Sequence, residues 1–428
     1  MPFHRTIRQK ISELPSKLPK LILAKEKPLK AEELAAARAY IEKFWPKLTR
    51  SHAKDDDTLV GLPNPYLVPA FERDHEFDFN EFYYWDSYFM VQGLLDEPHK
   101  KLVIGILENL VSLYKRFGII PNASRTYLMG HSNPPFLTSF IFDVYETYHP
   151  GDKWLKSMIE VAKDEYVTVW MGQTKPYAHQ IYEGLSRYYD INYIHDLAEA
   201  ESGWDMTPRF NRKCLNYLPI DLNSLLYKYE TDFLKAAEIL GKKAEADKWQ
   251  EVAHRRRYTI DRLMWNELRG LYYDYNYIKR SRSSVASLAA YYPMWAGMAS
   301  QKHAARLVKS LRKFEKRGGL TTTDAPQVNI LVPGATPTQW AYPNGWAPLH
   351  FIVVKGLQRY GYHEDARRIA LKWISTNLTW FNKHGIFLEK YNVVSPSKPP
   401  AKGIYPSQTG FGWTNAIFER FCREYIDK

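Results

Sequence analysis

The sequence predicts an all-α fold, an (α/α)6 toroid in which helix pairs close into a ring, with short β-hairpin arms and long loops around a central site. Roughly a dozen stretches place apolar residues at helical spacing, and loops with glycine or proline separate them. The chain lacks the fixed-period self-similarity that an open solenoid of helix pairs would show. In a ring, the aromatic and polar loops between helices would meet at one end and form a single site.

The first helix is expected at 31–48, where AEELAAARAYIEKFWPKL has helical spacing and ends near Pro46. The later stretches have the lengths of ordinary globular helices. They lie at 87–117, 136–148, 153–171, 219–240, 243–266, 284–299, 301–316, 346–360, 363–381 and 410–426. The segment GLYYDYNYI at 270–278 is expected to form one arm of a short hairpin.

Two regions differ in composition. Residues 1–30 are rich in lysine and proline and are expected to form a basic N-terminal extension. Residues 31–428 carry the helical pattern without a break that would mark a second domain. A closed toroid can reach this length as one unit, so 31–428 is predicted to be a single domain.

Composition narrows the class of protein. Aromatic residues make up 15% of the chain, with 31 Tyr and 13 Trp, and such rings suit the flat faces of sugars. The net charge of +12 is spread along the chain without a nucleic-acid-binding motif, so no nucleic-acid partner is expected. There is no apolar run of membrane-spanning length, and the two cysteines have no metal-like spacing. We expect a cytoplasmic monomer without membrane partner or metal, or a periplasmic protein if a signal peptide was trimmed.

Two carboxylates stand among aromatic residues and far apart in sequence. Asp205 belongs to ESGWD, and Glu389 belongs to FLEKY. A carboxyl group held against Trp204 would have a raised pKa, as a general acid requires. Two carboxylic acids in an aromatic pocket are the minimum for cleaving a glycosidic bond. Asp205 and Glu389 are therefore the predicted catalytic pair.

Other loops carry side chains suited to binding a polyol. Glycine at 203 would let the backbone approach a ligand, and Arg209 could pair with Glu201 or Asp205, although a structural salt bridge is the alternative. Asp86 could bind hydroxyls or merely cap a helix. The predicted substrate-binding residues are Phe79, Trp85, Asp86, Asn122, Arg125, His131, Ser132, Asn133, Gly203, Trp204, Arg209, Gln339, Trp340, Trp346 and Trp413.

Several blocks, in order, resemble the trehalase family, glycoside hydrolase family 37, over most of the chain from Phe79 to Phe421. The blocks are FNEFYYWDSY, PNASRTY, ESGWD, PIDLNSLLYK, QWAYPNGWAP, LEKY and GFGWTN. The resemblance implies an (α/α)6 toroid and an inverting hydrolase of trehalose, with Asp205 as general acid and Glu389 as general base. It also implies substrate contacts by Trp85, Asp86, Asn122, Ser132 and Gly203, and it implies no cofactor.

The chain departs from the family pattern at sugar-recognition positions. A sugar-binding arginine is replaced by Asp78, and an Arg-Ser-Gln block reads His131-Ser132-Asn133. An aspartate is replaced by Ala341, which could be natural or engineered, and a glutamate by Ile404. The segment SRYYDINYIHDLAEA has no clear counterpart of the expected Arg-Pro-Glu. Because an arginine fork cannot be copied by histidine or asparagine, these changes predict an altered subsite.

Alternatives to a trehalose hydrolase remain open on the sequence. The first is a related α-glycosidase acting on another small glucoside, such as glucosylglycerate or a sucrose-like sugar. The second is a catalytically weak trehalose-binding or sensing protein, although a binder has no need of an acid–base pair. A terpene-cyclase-like toroid is less favoured because no acidic metal-binding cluster lies on a helix, and the run 55–57 is in a polar loop.

Overall fold

The computed structural model describes residues 29–71, 79–325, 338–401, 403 and 407–427. Its helices are α1 (Ala31–Leu48), α2 (Tyr84–Val91), α3 (Lys100–Phe117), α4 (Leu137–Tyr148), α5 (Asp152–Glu165), α6 (His195–Glu201), α7 (Ile220–Ile239), α8 (Lys243–Met264), α9 (Tyr292–Trp295), α10 (Gln301–Ser310), α11 (Ala347–Arg359), α12 (His363–His384) and α13 (Gly412–Tyr425). A π-helical turn, Tyr166–Trp170, extends α5.

In the part of the chain that the structure describes, six helices form the inner ring. In the chain they alternate with outer helices, and they are α2, α4, α7, α9, α11 and α13. Neighbours from α4 through α13 are in contact, and α13 packs against α2. Tyr88 of α2 meets Phe140 of α4 at 6.4 Å between ring centroids, which completes the circle. All residues of α2 are buried, as expected for a helix with protein on every side.

The strands are short and lie in the loops between helices. They are β1 (Thr49–Arg50), β2 (Tyr66–Leu67), β3 (Gln180–Tyr182), β4 (Leu185–Ser186), β5 (Tyr217–Leu218), β6 (Trp265–Asn266), β7 (Leu271–Tyr272), β8 (Tyr275–Asn276), β9 (Ser281–Arg282), β10 (Glu315–Lys316), β11 (Gly319–Leu320), β12 (Asn344–Trp346) and β13 (Lys390–Asn392). All pairs are antiparallel. The predicted hairpin arm at 270–278 contributes β7 and β8, which pair with β6 and β9.

The helix predicted at 87–117 is two helices. The inner helix α2 ends at Val91, and the outer helix α3 begins at Lys100. Gly93 and Pro98 lie between them and disfavour a continuous helix, so the chain turns from the inner to the outer layer there. The sequence prediction also missed the short helix α6, which precedes ESGWD.

Several earlier expectations fall on residues outside the described part of the chain. Nearly all of the N-terminal extension is among them, since the description begins at residue 29. Asp78 and Ile404, two of the departures from the family pattern, also lie outside the described residues. Within the described residues, none of the helices is long and apolar enough to cross a membrane.

Candidate active site

The predicted site residues gather where inner helices begin. Trp85 and Asp86 lie in the first turn of α2, and Trp413 lies in the first turn of α13. Trp346 is the residue before α11. It pairs with Lys390 in the β12–β13 ladder, so the segment that carries Glu389 runs beside the start of α11. Ring closure therefore brings together segments from both ends of the chain.

A glycine turn after α6 positions Asp205. Gly203 has φ +70°, and a Cβ atom there would lie 2.5 Å from the Trp85 indole, so only glycine fits against that ring. The backbone carbonyl of Asp205 accepts a hydrogen bond from Gln339 Nε2 at 2.7 Å. The backbone of Trp340 donates to Met206 O at 3.1 Å. The Asp205 turn is thus held from the α2 side and from the segment before α11.

Glu389 is buried and paired. Its side chain is 3% exposed, and Lys390 Nζ lies 2.5 Å from Oε2. The backbone of Glu389 is fixed as well: its N–H donates to Gln408 O at 3.0 Å, and its carbonyl accepts from Trp413 Nε1 at 3.1 Å. The carboxylate therefore has a defined position and a cation beside it.

Asp205 and Asp86 share an electrostatic environment with Glu389. Burial raises the pKa of Asp205 to about 7, and the negative charge of Glu389 adds to this, while Lys390 opposes it. Burial also raises the pKa of Asp86 to about 8, with further contributions from Glu389 and Asp205. Because these charges act on one another, the predicted catalytic pair lies close together, with Asp86 as a third carboxyl group nearby.

Three indoles form a stacked column beside these carboxyl groups. Trp340 stacks on Trp346 with ring centroids 3.7 Å apart and planes 4° apart, and its other face meets Trp204 at 5.4 Å. The Arg209 guanidinium covers the free face of Trp204 at 4.3 Å. At the opposite end, Lys390 Nζ lies 4.9 Å from the centre of the Trp346 ring. This indole column therefore has a cation at each end and no open indole face.

The column limits how Trp204, Trp340 and Trp346, three of the predicted substrate-binding residues, could contact a sugar. All three residues are at most 1% exposed, so these indoles brace the site and do not present a face to a sugar. The Nε1–H groups of Trp340 and Trp346 have no hydrogen-bond partner among the described residues. Trp85 and Trp413 lie nearby and meet each other edge-on at 5.8 Å. Of the predicted aromatic contacts, these two remain beside the carboxylates, Trp85 under the Asp205 turn and Trp413 bonded to Glu389.

The predicted pairing of Arg209 with Glu201 or Asp205 is wrong. The guanidinium is fully buried and donates to both carboxylate oxygens of Asp221 at 2.7 and 2.8 Å and to both of Asp274 at 2.8 and 3.1 Å. Four of its five N–H groups are bonded to these two carboxylates, so Arg209 has a structural role and is not retained as a substrate contact.

Glu201 also has partners within the protein. It accepts hydrogen bonds from the backbone N–H groups of Ser132 at 2.8 Å and Tyr189 at 2.7 Å, and His179 Nε2 lies 3.0 Å away. The Ser132 hydroxyl donates to Ile120 O at 2.6 Å. Glu201 and Ser132 therefore fasten the 119–135 loop to the Asp205 turn.

The remaining predicted contacts lie in the 119–135 loop, apart from Phe79. Asn122 lies beside the start of α2, because its carbonyl accepts from Tyr84 N at 3.2 Å. Arg125 instead pairs with Glu81 at 3.2 Å and binds Thr58 at 3.0 Å, so its guanidinium has structural partners. Phe79 is half-buried and meets Tyr83 edge-on at 6.1 Å. His131 and Asn133 are buried in the loop.

The family model named Trehalase matches residues 7–193 and 189–425, which together span most of the chain. The chain belongs to the trehalase family. It is 34% identical over 429 residues to the periplasmic trehalase of Xanthomonas axonopodis pv. citri strain 306, covering 89% of this chain and 72% of that protein. It is 32% identical over 447 residues to the cytosolic neutral trehalase of Beauveria bassiana strain ARSEF 2860, covering 84% and 58%.

A solved structure agrees with the trehalase-family assignment. Neutral trehalase Nth1 from Saccharomyces cerevisiae superposes with a TM-score of 0.79 at 25% identity, covering 92% of this chain and 94% of that one. The predicted (α/α)6 toroid is thereby confirmed, as is membership of a family of glycoside hydrolases. The relatives include periplasmic and cytosolic trehalases, so the compartment differs within the trehalase family.

Sequence reasoning missed one acidic residue near Asp205 in this trehalase-family chain. Glu199 is buried, accepts a hydrogen bond from Thr207 N at 2.7 Å, and has its pKa raised to about 8, mainly by burial and in part by Asp196 and Asp205. It lies on α6, which was not predicted, so nothing in the sequence marked it as inward-facing. Ala341, another departure from the family pattern, is also buried.

Proposed function

We propose that this protein hydrolyses α,α-trehalose to two glucose molecules with inversion at the attacked anomeric carbon, with Asp205 as general acid and Glu389 as general base. The observation that carries the proposal is the position of Asp205 near Glu389, where burial and the Glu389 charge raise the pKa of Asp205 to about 7. A carboxyl group with that pKa keeps its proton near neutral pH and can donate it.

The two groups divide the proton transfers. Protonated Asp205 gives its proton to the glycosidic oxygen as the bond to the anomeric carbon breaks. Glu389, whose carboxylate is held beside Lys390, takes a proton from the water that attacks that carbon from the opposite face. One α-glucose and one β-glucose leave, and solvent returns a proton to Asp205 and removes one from Glu389.

Product stereochemistry tests this mechanism. Proton NMR of fresh products should show α- and β-glucose in equal initial amounts, followed by mutarotation. Two α-glucose molecules would refute inversion. Trehalose should also be the best substrate in a panel with glucosylglycerate and sucrose, whereas a different best substrate would overturn the substrate assignment. Tight trehalose binding in calorimetry without glucose release would identify a binding protein.

We also propose a cytoplasmic location. Cys214 and Cys422 are free, buried thiols, which suits a reducing compartment. Fractionation of the native host with antibody detection should place the protein with cytoplasmic markers. Recovery in the periplasm or medium would refute this location without affecting the proposed reaction.

A further inference from the structure

A second cavity lies at the end of the ring opposite the candidate active site, and we call it the distal cavity. It has a volume of about 470 Å³, and each of the inner helices α2, α4, α7, α9, α11 and α13 contributes to its wall. One lining residue from each helix in turn is Tyr88, Asp143, Lys228, Trp295, Lys355 and Arg420. Trp413 and Arg420 are seven residues apart on α13 (420 − 413), which is roughly 10 Å along the helix axis.

Aromatic rings separate the distal cavity from the candidate active site. Phe89 meets Trp85 at 5.6 Å on one side and Phe136 at 5.1 Å on the other. Phe136 in turn stacks on Tyr88 at 4.4 Å, and Tyr88 lines the distal cavity together with Phe351. The distal cavity is therefore distinct from the space beside the proposed catalytic pair, and its floor is aromatic.

Basic side chains dominate the wall of the distal cavity. They are Lys228, Lys235, Lys355, Arg359 and Arg420, against the two acidic side chains of Asp143 and Glu146. Four of these cations have carboxylate partners, but only three carboxylates serve them, because Lys355 and Arg420 share Glu424. The fifth, Arg359, makes no ion pair or hydrogen bond with a residue that the structure describes. The wall therefore carries a cation without an anionic partner.

Two further observations indicate that this charge suits an anion. Burial and, to a smaller extent, the charge of Arg420 lower the pKa of Lys355 to about 8, although Glu424 opposes them. Lys355 and Arg420 thus repel each other, and an anion between them would relieve the repulsion. Cations can also serve only to stabilise helix C-termini. Lys228, however, lies eleven residues before the end of α7 (239 − 228), so that role does not account for it.

Asp143 and Gln92 add hydrogen-bonding groups to the distal cavity. Asp143 accepts from Gln92 Nε2 at 2.8 Å and makes no ion pair within the described part of the chain. Burial raises the pKa of Asp143 to about 6, although the bond from Gln92 and the charges of Arg420 and Lys228 oppose the rise. A carboxylate near cations that it does not touch leaves space between the charges, and hydroxyl groups of a ligand can occupy that space.

We propose that the distal cavity binds a small phosphorylated sugar. The basic side chains bind its phosphate, as lysine and arginine do at phosphate sites. Asp143 and Gln92 bind its hydroxyl groups, and the aromatic floor takes an apolar face of the sugar ring. A volume of about 470 Å³ is typical of small-ligand sites and suits a monosaccharide phosphate. This second site is separate from the proposed catalytic centre and does not depend on the substrate cleaved there.

Calorimetry with glucose 6-phosphate tests the proposal on the Asp205→Asn variant saturated with trehalose, which keeps the candidate active site occupied. One molecule should bind per chain. Adding Arg359→Ala should weaken binding roughly tenfold, the usual contribution of a charge-assisted hydrogen bond, and Arg359 is exposed, so the fold should persist. The matched control is Arg312→Ala, also exposed but outside the distal cavity, which should leave the Kd unchanged.

Three results would overturn the phosphate site: no binding at millimolar concentrations, equal Kd values in the Arg359 and Arg312 variants, or binding only when trehalose is absent. If trehalose itself fails to bind, the proposed function falls, while the Arg359 comparison still decides the role of the distal cavity.

The sugar part of the ligand is tested through Asp143. The variant Asp143→Asn keeps an oxygen for Gln92 and removes a negative charge, so inorganic phosphate should bind more tightly. Glucose 6-phosphate should gain less than phosphate, because it loses a carboxylate acceptor for its hydroxyl groups. An equal gain for both ligands, or wild-type binding of inorganic phosphate as tight as that of glucose 6-phosphate, would refute the sugar assignment.

Discussion

At the scale of single residues, Lys390 contacts both a proposed catalytic carboxylate and the indole column. Its ammonium group pairs with Glu389 and caps the indole column at Trp346, and it is almost fully buried. It also lowers the pKa of Asp205, opposing the effects of burial and of Glu389. One cation therefore acts on both members of the proposed catalytic pair.

Replacement of Lys390 by methionine should change the pH profile. Loss of the cation removes a cause that lowers the pKa of Asp205, so the alkaline limb of kcat/KM should move to higher pH. Breaking a buried ion pair should also cost roughly 3 kcal/mol of stability. Lys390→Arg, which keeps the charge, is the control and should retain the wild-type limb. If the alkaline limb of the kcat/KM profile were at the same pH in Lys390→Met as in the wild type, Lys390 would not act on Asp205.

Removal of either of the two proposed catalytic carboxyl groups should abolish most activity with the fold intact. Asp205→Asn and Glu389→Gln are each expected to lower kcat by roughly 10²- to 10⁴-fold, the usual contribution of a general acid or base. Glucose release measures the rate, and circular dichroism checks the fold. Asp247→Asn on the exposed side of α8 serves as the control. If either active-site variant stayed within a few-fold of wild type, its catalytic role would be excluded.

The same Asp205→Asn variant should be more stable than the wild type at alkaline pH. Because the folded-state pKa of Asp205 is raised to about 7, its carboxyl group favours the folded state fully only below the pKa of the unfolded chain, about 4, and this advantage is lost as pH rises through 7. The half-buried side chain reduces the effect, so we expect about 1 kcal/mol at pH 8 and little at pH 4. Thermal melts at both pH values measure it, and an equal difference at both would contradict the assignment.

The sequence marks the two proposed catalytic carboxylates more clearly than it marks the contacts of their neighbours, and the reason is physical. ESGWD and LEKY mark Asp205 and Glu389 locally, so each could be found without a contact map. The partners of Arg209 could not, because Asp274 lies far along the chain and comes near only when β5 pairs with β8. The stacking of the three column indoles could not be predicted for the same reason, because it depends on contacts between segments that are separate in the sequence.

At the scale of elements, helical spacing predicted most helices to within a few residues. Helix α1 was predicted at 31–48 and is found there, since its apolar face packs against α12 and α13. Three predictions failed. The stretch at 87–117 is two helices, and the stretch at 284–299 contains a 3-10 turn, Leu288–Tyr291, followed by the short helix α9. Helix α6 was not predicted, because a few residues cannot show a period. Their ends are set by contacts with the ring and by turns such as the one at Gly203.

The turn at Gly203 can be tested against a matched glycine. Gly203→Ala should be strongly destabilising and nearly inactive, because φ is +70° and the new Cβ would lie 2.5 Å from the Trp85 ring. Gly118 at the end of α3 has the same φ but no atom within 4 Å of a built Cβ, so Gly118→Ala should cost only about 1 kcal/mol. Urea unfolding and trehalose cleavage compare the two, and equal effects would show that the Trp85 contact is unimportant.

At the scale of the whole molecule, the ring closes between its ends in sequence. The first helix joins the last through Arg38, which donates to both carboxylate oxygens of Glu419 at 2.7 and 2.9 Å and to Asp427 at 3.0 Å. Helix α13 also packs against α2, at the start of which Trp85 and Asp86 lie. Closure thus positions Glu389 and Asp86 relative to each other, although they are 303 residues apart (389 − 86).

Weakening this closure should cost modest stability. Arg38 is one-third exposed, so Arg38→Ala is expected to lower the free energy of unfolding by about 1 kcal/mol. The control is Arg255→Ala, whose pair with Glu251 is exposed and lies within a single helix, and which should change little. Urea denaturation of both variants makes the comparison. An Arg38 effect no larger than the control would show that the α1–α13 ion pairs do not hold the ring together.

The indole column has a practical consequence for engineering. It runs from a buried Arg209–carboxylate cluster to the cation that holds Glu389, and it supports the Asp205 turn on the way. The indole column does not include His131 or Asn133, which belong to the 119–135 loop. New sugar preferences can therefore be sought by randomising that loop around Ser132, whose bond to Glu201 ties the loop to the Asp205 turn and has to be kept.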